Sequence, residues 1–476
     1  MQENQINFEQ IANHLPPEWK DAEIRTKIRK LNRTLSQKIV VLDDDPTGVQ
    51  TVHDILVLTQ WNKELLLEAF QHPEHVFFIL TNTRGMEASE AARINLEIAA
   101  NVLAAAGEKG YKVQFVSRSD STLRGHYPLE IDILSEETER ITGQGYDGHL
   151  IVPAFFEAGR YTYHNVHYLK EGELLTPAHQ TEFAKDKVFG FSHSELREWV
   201  EEKTDGRFRP EDCVSISVEE IRRGPDAVEA ILTDVTGNQP VIVNAMSYRD
   251  LEVLSMALLQ AASKGKRFIY RTAASFVKAF GGISDIDYLS AEQMVAKGKE
   301  HMGGLVIVGS HMQKTTRQLE NLINGTAIVP LEMEVGKILN DGEREQEIGS
   351  LIGEVNRTLQ SGRNVVVFSS RKLVAVEGKA ANLKISQRVS SSLVKIVETL
   401  EAAPKFIVAK GGITSSDVAT KGLKIKKATV LGQAAPAIPV WLTGEDAKFP
   451  YMPYIIFPGN VGGDETLMEV VKKISG

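Results

Sequence analysis

The sequence is poor in cysteine and contains no long uninterrupted apolar run. Cys213 is the only cysteine among 476 residues, so no disulfide can form within the chain, which is typical of proteins from a reducing compartment. No segment approaches the ~20 consecutive apolar residues of a membrane-spanning helix, and the first residues lack the basic start and apolar core of a signal peptide. We therefore expect a cytoplasmic protein with no membrane partner.

An excess of basic charge and the common nucleotide-binding motifs are also absent. The net charge of −9 at pH 7 argues against a nonspecific grip on nucleic acid. The chain has no GxxxxGK[ST] loop, and its GxGxxG string over Gly143–Gly148 precedes a predicted strand, whereas a dinucleotide fingerprint follows one. His164 and His167 have no neighbours in sequence that would complete a zinc site. No metal ligand can therefore be assigned.

Length and apolar patterning predict a two-domain α/β protein. A single core stops growing near ~250–300 residues, so a chain of 476 residues requires two or more domains. Apolar runs alternate with helix-like stretches, which is typical of mainly parallel sheets covered by helices. We predict a polar helical leader over 1–37, an N-terminal domain over 38–290 and a C-terminal domain over 291–476, with the active site in the inter-domain cleft.

The predicted strands fall into two series, one for each domain. The first series is KIVVLDDD, DILVLT, HVFFILTNT, VQFVSRSD, HLIVPAF, PVIVNA and RFIYRTAA, and the second is GLVIVGSH, TAIVPLE, NVVVFSS, KFIVAKGG, VWLTG and YIIFPGN. Helical stretches between them are predicted at Met86–Gly107, Gln313–Asn324, Glu343–Gln360 and Ser386–Glu401.

Polar side chains gather at the ends of the first-series strands. These ends carry Asp43–Asp45, Thr81–Arg84, Ser117–Thr122 and Pro153–Glu157, the last followed by Gly159 and Arg160. Because parallel strands place their carboxyl ends at one edge of the sheet, where ligands bind, we expect these side chains to face one crevice. Any one of them alone is more often an ion pair or a cap, but several polar strand ends together favour a site.

The side chains at this predicted crevice suit an acidic sugar. Arg84, Arg118 and Arg124 can hold a carboxylate by forked hydrogen bonds. Asp44 and Asp120, with the neighbouring Ser and Thr hydroxyls, can bind sugar hydroxyls, and one carboxylate could remove a proton from an attacking hydroxyl.

Glycine follows three strands of the second series. The loops are Val308–Ser310, Lys410–Thr414 and Pro458–Gly463. Glycine lets the backbone approach a phosphate, and helix N-termini offer free N–H groups. The pattern predicts a cradle for a polyphosphate, although ordinary tight turns would give the same composition.

Motifs at both sets of strand ends resemble those of the four-carbon acid sugar kinases. VVLDDDPTGVQTVHD, FFILTNTRG, SRSDSTLRGHYPLE and PAFFEAGRYT are similar to motifs of that family's N-terminal domain, and GSHMQKTTRQL, AKGGITSSDVA and FPGNVGG to motifs of its nucleotide-binding domain. The resemblance runs from about Lys38 to the end of the chain. It implies a kinase that uses ATP and Mg²⁺ to phosphorylate the terminal hydroxyl of threonate, erythronate or 3-oxo-tetronate.

The resemblance also implies roles for individual residues. The implied substrate-binding residues are Asp44, Asp45, Arg84, Arg118, Ser119, Asp120 and Ser121, with Asp120 and Asp44 as the catalytic carboxylates. The implied ATP-binding residues are Ser310, Gly411, Gly412, Ile413, Thr414 and Gly459. Many members have a lysine in the last glycine loop; this chain has Phe457–Gly462 there, which leaves phosphate contacts to backbone N–H groups. The stereoisomer, the metal ligands and homo-oligomerisation stay open.

Two other functions are compatible with the same pattern. A nicotinamide-dependent oxidoreductase of sugar acids would suit doubly wound domains, but the chain lacks a correctly placed GxGxxG. A noncatalytic sugar-acid-binding protein would keep the crevice and bind ATP weakly. Both can be separated from a kinase by their response to nucleotides.

Overall fold

The chain forms two compact α/β units in a computed structural model that describes residues 6–310, 312–371, 379–459 and 461–476. The first unit contains the chain up to Gly48 together with Gln60–Asp285, and the second contains Val49–Thr59 and Ile286–Gly476. None of the helices within these ranges has both the length and the apolar character needed to cross a bilayer.

Strands are short and are distributed over the whole chain. In chain order they are β1 Ile6–Asn7, β2 Gln37–Asp43, β3 Ile55–Leu58, β4 Val76–Leu80, β5 Lys112–Arg118, β6 Gly148–Val152, β7 Arg160–Tyr163, β8 Val166–Glu171, β9 Leu174–Pro177, β10 Val214–Ile216, β11 Gln239–Val243, β12 Phe268–Thr272, β13 Leu305–Val308, β14 Val329–Met333, β15 Val365–Ser369, β16 Ile407–Lys410, β17 Lys427–Ala435, β18 Ile438–Thr443 and β19 Pro453–Phe457.

Helices separate most of these strands. They are α1 Phe8–His14, α2 Ile24–Thr34, α3 Lys63–Gln71, α4 Ala88–Lys109, α5 Leu129–Thr142, α6 Leu196–Lys203, α7 Val218–Ile221, α8 Pro225–Asp234, α9 Tyr248–Ser263, α10 Ala274–Phe280, α11 Gln313–Gly325, α12 Val335–Leu339, α13 Asp341–Gln360, α14 Lys379–Thr399, α15 Gly412–Asp417 and α16 Thr466–Ser475.

The first unit is built on a parallel sheet in the order β10-β11-β6-β12-β5-β2-β4. Strands β2, β4 and β6 are buried along their whole length, as expected where helices cover both faces. Asp43 pairs with Leu80 on one side and with Arg118 on the other, and Arg118 pairs with Thr272. This register brings the polar strand ends to the same level at one edge of the sheet.

The predicted leader belongs to the first unit. Helix α2 buries Ile24, Ile28 and Asn32, and the Asn32 side chain donates to the carbonyl of Phe280 at 2.9 Å. Strand β1 pairs with β9 at the edge of a small antiparallel sheet in the order β1-β9-β8-β7. The leader therefore packs as part of this unit.

The second unit has a parallel core with an antiparallel extension. Its sheet runs β3-β17-β18-β19-β16-β13-β15-β14, and the strands from β19 to β14 are mutually parallel. Lys410 pairs with Val308 on one side and with Phe457 on the other. The three strands that run into glycine therefore end side by side.

The predicted α/β architecture is confirmed, and every predicted strand and helix is present. The segment DILVLT, predicted within the first series, forms β3 and pairs with β17 of the second unit. Strand β17 was not predicted because its buried positions alternate with partly exposed ones, so it does not form a continuous apolar run.

Candidate functional site

The turn after β2 fixes three consecutive aspartates at the sheet edge. The backbone N–H of Thr47 donates to Asp45 Oδ1 at 2.9 Å, and the N–H of Gly48 donates to the carbonyl of Asp45 at 3.1 Å. A Cβ atom at Gly48 would overlap the carboxylate of Asp43. The close approach of the Asp43 carboxylate explains the glycine at position 48, and the two hydrogen bonds fix the turn at Asp45.

Asp44 is a buried carboxylate, and one of its oxygens accepts no hydrogen bond from the residues that the structure describes. Its Oδ2 accepts from the Ser119 hydroxyl at 3.3 Å. Its Oδ1 lies 3.7 Å from Arg84 Nη2 and 3.9 Å from Arg118 Nη1, and has no hydrogen-bond partner in the described part of the chain. Burial raises the pKa of Asp44 to about 6, although Arg84 and Arg118 oppose the rise. Asp44 can therefore accept a proton near neutral pH.

Asp120 has the opposite character, because both of its oxygens are engaged. Oδ1 lies 3.1 Å from Arg84 Nη1, and Oδ2 accepts from Arg124 Nε at 2.8 Å and from the Thr122 hydroxyl. Burial alone would raise the pKa of Asp120, but Arg84 and Arg124 hold it well below its usual range. Asp120 is therefore a fixed anion and a poor proton acceptor.

Two of the three arginines predicted to hold a carboxylate, Arg84 and Arg118, are surrounded by protein carboxyl groups. Arg84 pairs with Asp45 and Asp120 and approaches Asp44. Arg118 is 4% exposed, and its Nη1 lies 3.5 Å from Asp43 Oδ1. Both guanidinium groups thus orient the aspartate edge, and their direct contact with a substrate stays a prediction.

Two buried side chains hold the loop that carries Ser119, Asp120 and Ser121. Arg271 Nη2 donates to the carbonyls of Asp120 and Arg124 at 3.4 and 3.1 Å. His167 Nε2 donates to the carbonyl of Ser121 at 2.8 Å, and burial lowers the pKa of His167 to about 3, so the ring is neutral. Sequence reasoning missed both roles, because these residues lie 46 to 151 positions from their partners and no local motif marks them.

In the second unit, the loops after β13 and β16 are in close contact. Gly411 has φ +119°, which favours glycine, and a Cβ atom there would lie 3.7 Å from Ser310 Cβ. A Cβ atom at Gly309 would overlap the hydroxyl of Thr414. The side chain of Ile413 is 73% exposed. These loops present backbone and hydroxyl groups at one point of the sheet edge, a cradle that suits phosphate groups.

Lys410 ties the third glycine loop to the first two. Its Nζ is buried and donates to the carbonyls of Pro458 and Gly459 at 2.6 and 3.1 Å. Burial lowers the pKa of Lys410 to about 7. The sequence placed Lys410 in the second glycine loop but did not predict its buried role, because a lysine at a strand end is usually exposed. Lys410 is therefore the structural link between Gly411 and Gly459.

The predicted residues form two groups, one in each unit. The first group contains Asp44, Asp45, Arg84, Arg118, Ser119, Asp120 and Ser121, and the second contains Ser310, Gly411, Gly412, Ile413, Thr414 and Gly459. In the described ranges no three His, Cys, Asp or Glu side chains are arranged to hold a metal ion.

Comparison with known proteins covers both units. A family described as a sugar-binding N-terminal domain matches residues 39–280, and one described as a nucleotide-binding C-terminal domain matches residues 305–467. No curated protein sequence matches the chain significantly.

Two solved structures share the fold over most of the chain. A protein from Salmonella typhimurium LT2, provisionally described as a tRNA synthase, is 17% identical with a TM-score of 0.67 and aligns over 92% of this chain and 99% of its own. A Haemophilus influenzae protein is 17% identical with a TM-score of 0.63 over 92% of this chain and 100% of its own. At this identity the likeness shows the fold alone, so the synthase description does not extend to this chain.

The two family matches follow one another along the chain and coincide with the two series of strands. The chain has a sugar-binding domain followed by a nucleotide-binding domain, and it belongs to the four-carbon acid sugar kinase family.

Proposed function

We propose that this protein is a kinase that transfers the γ-phosphoryl group of ATP to the terminal hydroxyl of a four-carbon sugar acid. The observation that carries this proposal is the state of Asp44. It is a buried carboxylate with a pKa near 6 and an oxygen that accepts no hydrogen bond from the described residues, within a sugar-binding domain that a nucleotide-binding domain follows.

In the proposed reaction Asp44 is the general base. The substrate hydroxyl gives its proton to Asp44 while its oxygen forms a bond to the γ-phosphorus. The bond from that phosphorus to the bridging oxygen breaks, and its electron pair leaves with ADP. Asp120 is less suited to this role, because Arg84 and Arg124 occupy its two oxygens.

The remaining polar groups of the first unit position the acceptor. The substrate hydroxyls would be bound by side-chain oxygens of Asp45, Ser119, Asp120 and Ser121. Arg84 and Arg118 act mainly through the aspartates, because the carboxyl groups nearest to them belong to Asp43, Asp44, Asp45 and Asp120. This division leaves the aspartate edge for the hydroxyl end of the substrate.

The glycine loops of the second unit are proposed to hold ATP. The phosphates would be contacted by backbone N–H and hydroxyl groups of Ser310, Gly459 and the loop Gly411–Thr414. Magnesium bound to the phosphates would neutralise the charge that develops during transfer. No protein ligand is assigned to that ion.

Acid-dependent release of ADP tests the proposal. Purified protein with MgATP is supplied with threonate, erythronate or 3-oxo-tetronate, and ADP is measured by a coupled assay in wild type and Asp44→Asn. Release in the wild type that requires an acid and is lost in the variant supports the kinase. A nicotinamide-linked absorbance change would instead favour an oxidoreductase, and acid binding without ADP release would favour a binding protein.

A further inference from the structure

Arg160 is a cation of the first unit that pairs with no carboxylate in the described ranges of the chain. It begins β7, after a turn in which Phe155 and Arg160 exchange backbone hydrogen bonds of 3.2 and 2.9 Å. Its Nη1 donates to the carbonyl of Ala158, and its buried Nε has no hydrogen-bond partner among the described groups. A partly buried guanidinium without an anion is energetically unfavourable and would gain by binding one.

Arg124 lies beside Arg160 and, unlike it, contacts two carboxylates. Both guanidinium groups pack against the ring of Phe183, at 5.0 Å for Arg124 and 5.9 Å for Arg160. Arg124 Nε is bound to Asp120, while its Nη1 is 3.6 Å from Asp186 Oδ2. Burial lowers the pKa of Arg160 and the nearby Arg124 adds to this, whereas Asp120 and Glu171 oppose it. Arg160 is therefore the member of this pair of arginines whose charge has no described carboxylate partner.

The sheet edge thus carries carboxylates after β2 and, beyond β6, a guanidinium with no carboxylate partner among the described residues. The aspartates follow β2, Arg124 lies on the loop after β5, and Arg160 lies beyond the end of β6. Side-chain contacts connect the two regions more closely than the strand spacing: Arg124 Nε is 2.8 Å from Asp120 Oδ2, and Arg84 lies 3.1 Å from the other oxygen of Asp120. A molecule with hydroxyls at one end and a carboxylate at the other matches this polarity in only one orientation.

We propose that Arg160, together with Arg124, binds the carboxylate of the substrate, while Arg84 and Arg118 serve the aspartates that receive its hydroxyl end. This inference rests on the proposed function, and it assigns the selectivity for an acid over a neutral sugar to the pair of guanidinium groups. Arg160 contributes the unneutralised charge, and Phe183 supplies the surface that holds both side chains in place.

The test compares an acid with its uncharged isostere in wild type, Arg160→Met and Arg160→Lys. Threonate and erythronate are compared with threonamide and erythronamide, by calorimetric binding and by KM in the ADP-release assay. Arg160→Met is expected to weaken acid binding about 100-fold and to leave amide binding within about twofold. Arg160→Lys keeps the positive charge but not the forked hydrogen bonding of a guanidinium group, so its loss of affinity for the acid should be smaller. The acid-to-amide ratio is insensitive to a general loss of folded protein.

Arg267→Met is the matched control. Arg267 also packs against an aromatic ring, that of Tyr146 at 5.3 Å, but it precedes β12 at the opposite edge of the sheet. It should keep the wild-type preference for acids over amides.

The outcomes separate this inference from the kinase proposal. If wild type phosphorylates an acid and Arg160→Met keeps both its KM and its acid preference, the carboxylate assignment is wrong while the kinase stands. If wild type neither binds nor phosphorylates any of the acids, both are overturned. Loss of acid preference in Arg160→Met alone, with Arg267→Met unchanged, supports the assignment.

Discussion

Arg84 and Asp120 form an ion pair in which Nη1 lies 3.1 Å from Oδ1. The same guanidinium group also pairs with Asp45 and approaches Asp44. One arginine thus shares its charge among three carboxylates, and it engages Asp120 more closely than Asp44. Because Arg84 lies closer to Asp120 than to Asp44, Asp120 is held as an anion, whereas Asp44 can exchange a proton.

Asp44→Asn is expected to lower kcat by about 10²- to 10⁴-fold, because the amide cannot accept the hydroxyl proton. Binding of ATP, measured by calorimetry, should stay unchanged.

Asp120→Asn is expected to lower the free energy of unfolding by about 3 kcal/mol, because Arg84 and Arg124 lose a shared buried anion. Urea denaturation of both variants measures this difference; a larger loss of stability in Asp44→Asn than in Asp120→Asn would contradict the assignment.

The pH profile should report Asp44. Burial raises its pKa to about 6, so the ionised form that accepts a proton becomes populated as pH increases through 6. We expect kcat/KM to rise between pH 5 and 7 with an apparent pKa of about 6. The pH dependence of kcat/KM reports the pKa values of the free enzyme, which is the state that the structure describes. The residual activity of Asp44→Asn should lack this inflection. The same inflection in the variant would assign it to another group.

Asp43 should make folding stability depend on pH. Burial raises its pKa from the ordinary 3.8 to about 8, so the folded state binds this proton more tightly than the unfolded state. The stabilisation that protonated Asp43 gives to the folded state is complete below pH 4 and is lost as pH rises through 8. The free energy of unfolding of wild type relative to Asp43→Asn should therefore fall over this window, by at most about 1.4 kcal/mol per pH unit. Parallel stability curves for the two proteins would contradict this.

Lys410→Met should weaken ATP binding about tenfold, because the carbonyls of Pro458 and Gly459 lose their buried donor and the third loop loses its link to the first two. Sugar-acid binding should be unchanged. Lys405→Met is the control, since Lys405 is 9% exposed and precedes the same strand at its other end. Equal effects of the two variants on ATP binding would show that stability alone is involved.

Gly411→Ala should strain the loop after β16, because φ is +119° at this position. We expect weaker ATP binding and a loss of about 1–3 kcal/mol in stability. Gly353→Ala is the opposite case, since a Cβ atom in this helical position meets no heavy atom within 4 Å. It should raise stability by about 0.5–1 kcal/mol, and thermal unfolding measures both changes.

The polar strand ends could be located from the sequence because they lie within short motifs. Asp43–Asp45 and Arg118–Ser121 each follow a continuous apolar run, and parallel pairing then places them at one edge. The partner of a strand could not be predicted in the same way: β3 is apolar like its neighbours in sequence, yet it pairs with β17, some 370 residues away.

Which arginines of the site have carboxylate partners could be seen only in the three-dimensional structure. In the sequence, Arg84, Arg118 and Arg160 are equivalent guanidinium groups near polar loops. In three dimensions Arg84 and Arg118 face aspartates, while no described carboxylate pairs with Arg160. The pKa of Asp44 is likewise set by burial and by Arg84, Glu130 and Arg118, which lie 40 or more positions away in the sequence.

The assignment of a sugar-acid kinase is tested most directly by the release of ADP from wild-type protein supplied with MgATP and each four-carbon acid in turn. We expect release that depends on at least one of threonate, erythronate and 3-oxo-tetronate and is nearly abolished in Asp44→Asn. Protein that is folded and binds ATP, but releases no ADP with any of these acids, would contradict it.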